Sequence, residues 1–250
     1  VEDASTYQSK TDFKLASFGL ALDNSLEVDV LHEVLAKRFS YRGKFQDRIA
    51  VESIITCNKN IKLKLLSDSS QMNIIATIYD NINLKFLGSD GYIKELYSWL
   101  RFDRSKNDYL KDGLNTEAMG LNAIDSFGAS VVLKPNVFHF LKKLNIVSLL
   151  ITEKPIIKSS SAIVAIVGTS NSPLEIGRGF MRGWLELTSH QLYGAPLSLL
   201  TDDPEAMKEM KSLFEISDKE NIYNILRVGP LHKEYQIPAR ARLNKKEYYV

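Results

Sequence analysis

A single cysteine, Cys57, occurs in the 250 residues. No internal disulfide can form, which fits a reducing, cytoplasmic setting. Neither sign of charge predominates: the formal net charge is +2, and lysines are dispersed rather than blocked. No global field therefore argues for nucleic acid or a membrane surface as partner. No apolar run is long enough to span a bilayer, and the opening VEDASTYQSKTDF has no signal-peptide core. The missing initiator methionine is read as a sign of a processed or partial chain.

The usual chemical signatures are missing as well. His32, His139, His190 and His232 are isolated and show no metal-ligand spacing. Gly168-Thr169-Ser170 has no lysine where a phosphate-binding Walker loop needs one, and Gly177, Gly179 and Gly183 fall inside a helical pattern rather than after a strand. No nucleophile elbow is present, and Cys57 reads as a small core residue. No catalytic side chain and no metal ligand is assigned.

What is there is ordinary for a soluble globular chain: 44% hydrophobic and 25% charged residues, and enough length for a sizeable core. Residues 1–12 are polar and read as a flexible N-terminus. Phe13–Leu22, Ile61–Leu66, Ser161–Val167 and Ile222–Gly229 read as strands. Helices are expected over 28–37, 47–57, 71–87, 90–100, 137–143, 174–192 and 204–213, with Leu96, Trp99 and Leu100 inward on the fourth. Ser25 or Asn24 is a candidate cap for the first, and Pro173 stands at the favoured first position of the sixth. The three glycines of that helix read as close approach of a neighbouring helix or a ligand, and equally as ordinary helix packing. Gly194 is expected to end it, leaving Pro196–Leu200 as a short link. Residues 102–121 read as a long surface loop, of a length that is usually functional or mobile. No repeat period is present, and the mixed order of strands and long helices predicts an α+β architecture.

Two basic segments stand out. LHEVLAKRFSYRGKF carries Arg38, Ser40 and Arg42, and IPARARLN carries Arg240 and Arg242. Guanidinium forks suit phosphate oxygens. Taken singly, the first pair reads better as a cationic helix end and the second as a solvated tail.

AKRFSYRGKF near the front, SAIVAIVGTSNSPLEIGRGFMRGWLELTSHQLYGAPLSLLTDD in the centre and LRVGP…IPARARL at the end resemble the FMN-dependent nitroreductase superfamily. YIKELYSWLRFDRSKNDYLKDGLN brings the likeness nearest to its Acg-like branch, over about 13–250. The resemblance implies a central, mostly antiparallel sheet flanked by long helices. It also implies FMN held by Arg38, Ser40, Arg42, Arg240 and Arg242, with Ser198 in the turn Pro196-Leu197-Ser198 beside the flavin ring. NADH or NADPH would be the donor and a nitroaromatic- or quinone-type small molecule the acceptor. Residues 102–121 would be a lid. The quaternary expectation is a monomer with an internal pseudo-dimer or a homodimer. The branch normally opens with an Asn-x-Gln-Pro-Trp segment touching the flavin ring, which this chain lacks. That keeps two alternatives in view: a flavin-sequestering or sensing protein without turnover, and a relative that binds no flavin.

Overall fold

The run that reads most plainly as a strand in the sequence becomes the centre of the sheet. A computed structural model describes residues 29–45, 47–51, 56–58, 60–110, 112–144, 146–147 and 151–232. In it Ala162–Gly168 (β5) is buried along its whole length. On one side it is flanked by Ile61–Leu66 (β2) and then Thr56–Asn58 (β1), on the other by Asn221–Pro230 (β7) and then Leu192–Pro196 (β6). Every pair in this five-stranded sheet is antiparallel, with Val164 opposite Leu65 on one side and Leu226 on the other.

Continuous apolarity in β5 reflects burial on both faces, because strand side chains alternate. Ile163, Ala165 and Val167 join Met72, Ile75, Ile157, Leu200 and Met210 in one core. These come from helices Ser69–Leu87 (α1), Lys154–Lys158 (α5), Leu199–Asp202 (α7) and Pro204–Leu213 (α8). Ala162, Val164 and Ile166 join Trp184 and Leu187 of Pro173–Ser189 (α6) in the other. A smaller cluster of Leu87, Ile93, Phe138 and Val147 ties together α1, Asp90–Trp99 (α2) and Pro135–Lys143 (α4). The architecture is α+β, a mostly antiparallel sheet between long helices, as expected.

Several local expectations are corrected. The helix expected over 47–57 is not formed: 47–51 has no regular structure and Thr56–Asn58 is strand β1. Its Ile-Val-Ile pattern fits a strand edge as well as a helix, and the Ile49 N–H is taken by Ser161 Oγ at 3.1 Å rather than by a helical carbonyl. The first helix is a 3-10 helix, Val30–Lys37, whose one buried residue is Leu31; Val30 and Leu35 face solvent. Trp99, expected inward, is half exposed, and Ile93 is the buried residue of α2. Helix α6 stops at Ser189 because Gln191 turns the chain at φ 59°. The chain then enters strand β6, with Gly194 at its middle. Gly179 lets α6 approach strand β2: a Cβ there would stand 2.5 Å from Ile61 Cδ1. Ala123–Val132 (α3) and the short helices α5 and α7 add to the expected helices, and the expected 196–200 link is divided between the end of β6 at Pro196 and the start of α7 at Leu199. The strand expected over 13–22, the flexible 1–12 and the caps Asn24 and Ser25 lie outside the described residues.

Candidate functional site

The 3-10 helix delivers Arg38. Asp29 caps its start, Oδ1 accepting from the Leu31 N–H at 3.0 Å, while Oδ2 receives Arg182 Nη1 of α6 at 2.7 Å. The Leu31 amide, and then Arg182, hold the Asp29 carboxyl below the usual carboxylate range. At the other end the Arg38 N–H donates to Val34 O at 3.2 Å, and the backbone then extends at φ −72°, ψ 125°. The Arg38 guanidinium lies 4.8 Å from the centre of the Trp184 ring, a contact worth about 0.5–2 kcal/mol according to its desolvation. Among the described residues no carboxylate forms an ion pair with Arg38.

Two residues on, the chain joins the sheet. Ser40 forms a parallel bridge with Gly194 on edge strand β6, and the Tyr41 N–H donates to Gly194 O at 2.9 Å. The flanking rings fix this register, with Phe39 against Tyr193 at 5.3 Å and Tyr41 against Phe45 at 5.0 Å. The 3-10 helix thus ends at Lys37, and Ser40 and Arg42 belong to extended chain on the sheet edge rather than to a helix end.

Beneath this segment sits Arg227 of β7, only 2% exposed. Its Nη2 donates to Tyr41 O at 2.9 Å and to Gly43 O at 3.0 Å, and its guanidinium lies 5.1 Å from the Phe45 ring centre. Burial lowers its pKa to about 10, with Arg42 adding repulsion and Glu153, Tyr41 and Tyr79 opposing. Burial likewise raises the Glu153 carboxyl, which Arg227 partly offsets. Phe45 is buried against the bare backbone of Gly229, where a Cβ would stand 2.7 Å from the ring, and its N–H donates to Ser159 Oγ at 3.0 Å. Sequence patterning does not single out Arg227. The available signal is one charged residue in the middle of the apolar strand IYNILRVG.

A second element reaches the same place. Residues 102–121 form a segment with its own ties rather than a featureless loop. Leu100–Arg101 (β3) pairs in parallel with Leu114–Asn115 (β4). Arg101 bridges Asp108 at 3.2 Å and Asp112 at 2.8 Å, and Arg104 bridges Glu117 at 2.5 Å. The buried Tyr109 hydroxyl meets Thr116 Oγ1 at 2.6 Å and also bonds Glu117. At its end Gly120, with φ +71°, abuts the backbone of Arg42 and Gly43.

The predicted residues fall into three groups. Arg38, Ser40 and Arg42 lie on one continuous stretch beside Trp184, Gly194 and Gly120. Ser198 is exposed at the start of α7, four residues past the bridged Gly194, and its carbonyl accepts from Thr201 N–H at 2.8 Å. Arg240 and Arg242 lie outside the described residues. Among the described residues no group of three or more histidine, cysteine or acidic side chains is placed to hold a metal, and no helix is long and apolar enough to cross a membrane.

No protein-family model matches the sequence, and no curated protein matches it. Solved structures with a similar chain path include an FMN-bound nitroreductase of Bacteroides fragilis: 8% identity, 87% of this chain and 97% of that one, TM-score 0.48. Another is the FMN-dependent nitroreductase of Mycobacterium smegmatis in complex with NADPH: 12% identity, 87% and 96% covered, TM-score 0.46. A third is an iodotyrosine deiodinase bound to FMN and 3-iodo-L-tyrosine: 13% identity, 86% and 97% covered, TM-score 0.45.

Proposed function

We propose that the chain is an FMN-binding oxidoreductase of the nitroreductase type. The observation that carries this reading is the Arg38–Gly43 segment. Arg38 is a cation in ion pair with no carboxylate among the described residues and held on the Trp184 face, and Ser40 is fixed two residues away on the sheet edge. A guanidinium already oriented and poorly hydrated is suited to a phosphate, and a nearby hydroxyl supplies a further hydrogen bond. In this reading Arg38 and Arg42 bind the phosphate end and Ser40 the adjoining polyol. Arg240 and Arg242 close on the same phosphate, and Ser198 lies beside the ring.

FMN, when bound, supplies two-electron chemistry: it takes hydride from NADH or NADPH and reduces a nitroaromatic- or quinone-type acceptor. The chain's own part is to bind, orient and shield. No side-chain nucleophile or metal is called for, in keeping with a sequence in which neither is assigned. Equilibrium dialysis with FMN tests the binding: the wild type should retain FMN, and the Arg38→Ala/Arg240→Ala variant should lose it.

A second reading, flavin sequestering without turnover, draws on residues 102–121. The segment is pinned by its own ion pairs and seated on Gly43, as a lid over the site would be. The discriminating assay is NADPH oxidation with a quinone acceptor by the flavin-loaded protein, which a sequestering protein does not support.

A further inference from the structure

We propose that Arg227 is the positioning residue of the anion-binding segment. From beneath the sheet edge it draws the carbonyls of Tyr41 and Gly43 inward and so sets how Arg38, Ser40 and Arg42 are presented. The inference rests on the reading of that segment as a phosphate site.

Arg227 stands where a charge is least expected. Its neighbours on β7, Leu226 and Val228, are fully buried core residues, and Arg227 itself is 2% exposed. A charged side chain in such a place is costly unless its donors are used. Among the described residues it forms no salt bridge, and its Nη1 has no hydrogen-bond partner. What it does have is one nitrogen shared by two carbonyls two residues apart, at 2.9 and 3.0 Å. An apolar residue of similar volume would suit the core at least as well, so packing alone does not account for an arginine here.

The two bonds have a defined electrostatic consequence. A carbonyl oxygen is the negative end of the peptide dipole, and any that faced the bound anion would repel it. Each oxygen turned onto Arg227 is one withdrawn from the ligand's side. The same bonds hold the curve of the chain around Arg42, between the Ser40 bridge to Gly194 and the Gly120 contact. Phe45 completes the seat: stacked over the guanidinium and lodged on Gly229, it fixes the direction from which Arg227 reaches the segment. With its pKa lowered only to about 10, Arg227 keeps its charge at neutral pH.

The test combines FMN affinity, measured by flavin fluorescence, with hydrogen exchange over residues 38–45 of the ligand-free protein. Arg227→Lys keeps the charge but loses the fork. Phe45→Leu loosens the seat without unpairing a carbonyl, and stands in where Arg227→Lys does not fold. Expected are a loss of affinity of about tenfold, faster exchange confined to 38–45, and an Arg38→Ala/Arg227→Lys double variant whose loss is smaller than the product of the two single losses, because Arg227 acts partly through Arg38. Wild-type affinity and exchange in the single variant, or losses that multiply in the double, overturn the proposal. If the wild-type protein takes up no FMN, the flavin reading falls by itself. Exchange over 38–45 then decides about Arg227: faster exchange in the variant upholds its hold on the segment, and unchanged exchange overturns it.

Discussion

Gly120 lies against the backbone of Gly43: a Cβ on Gly120 would stand 2.9 Å from the Gly43 nitrogen and 3.0 Å from its Cα. Neither partner offers a flexible side chain that could move aside, and Gly120 adopts the left-handed conformation that costs other residues about 1–2 kcal/mol. Gly120→Ala is therefore expected to lift the 102–121 segment off Arg42–Gly43 and to lower stability by about 1–3 kcal/mol. Limited proteolysis reads the displacement directly, as faster cleavage within 102–121. Cleavage at the wild-type rate would mean that the contact does not hold the segment down.

The lid proposal makes its own prediction for the same segment. If residues 102–121 cover a bound flavin, saturating FMN should slow their cleavage in the wild-type protein while other sites are cut as before. Equal cleavage with and without FMN would leave the segment as a structured surface loop and nothing more.

Trp184 should matter to anion binding through Arg38. Trp184→Phe keeps an aromatic face under the guanidinium and should leave FMN affinity within a few-fold of wild type. Trp184→Leu removes that face, whose contribution of about 0.5–2 kcal/mol corresponds to a loss of up to about thirtyfold. Fluorescence titration of the two variants separates the stacking from simple bulk, and equal affinities would dismiss it.

Acid should weaken the fold through Asp203. Its carboxylate caps α8 by accepting from the Glu205 and Ala206 amides at 3.1 Å each, and Lys85 Nζ donates to it at 2.6 Å. Lys85 foremost, and then the Ala206 amide, hold the carboxyl below its ordinary 3.8. For a carboxyl with a depressed folded pKa, the stabilisation is complete above the unfolded value and is lost as pH falls through the folded one. Asp203→Asn should thus be less stable than wild type at neutral pH, and the difference should shrink on going from about pH 5 to about pH 2. Urea unfolding at a series of pH values measures it, and a difference independent of pH would show that the ionisation of Asp203 does not carry the effect.

The parts of this molecule that sequence patterning anticipates are those where one physical demand dominates. β5 is apolar throughout because both its faces are core, and α8 starts at Pro204 behind a capping Asp203. Arg38, Ser40 and Arg42 share one stretch because they lie within five residues of one another, while their role as a set is a proposal that began from the family resemblance and not from spacing. What escapes depends on partners far along the chain. Residues 47–51 carry a helix-like pattern, yet their amide at Ile49 is satisfied by Ser161. Gly194 looks like a helix terminator and serves in mid-strand, because β7 supplies its ladder and Ser40 its bridge. Arg227 acts on residues 184 and 186 positions away. No window of sequence contains both ends of those bonds.

The central claim is tested most directly by titrating the purified protein with FMN and following flavin fluorescence and the visible spectrum. The account predicts one FMN per chain, quenched fluorescence, a shifted visible band and a Kd of about a micromolar or tighter, all lost in Arg38→Ala/Arg240→Ala. FMN that keeps its free spectrum and fluorescence in the presence of the wild-type protein would contradict it.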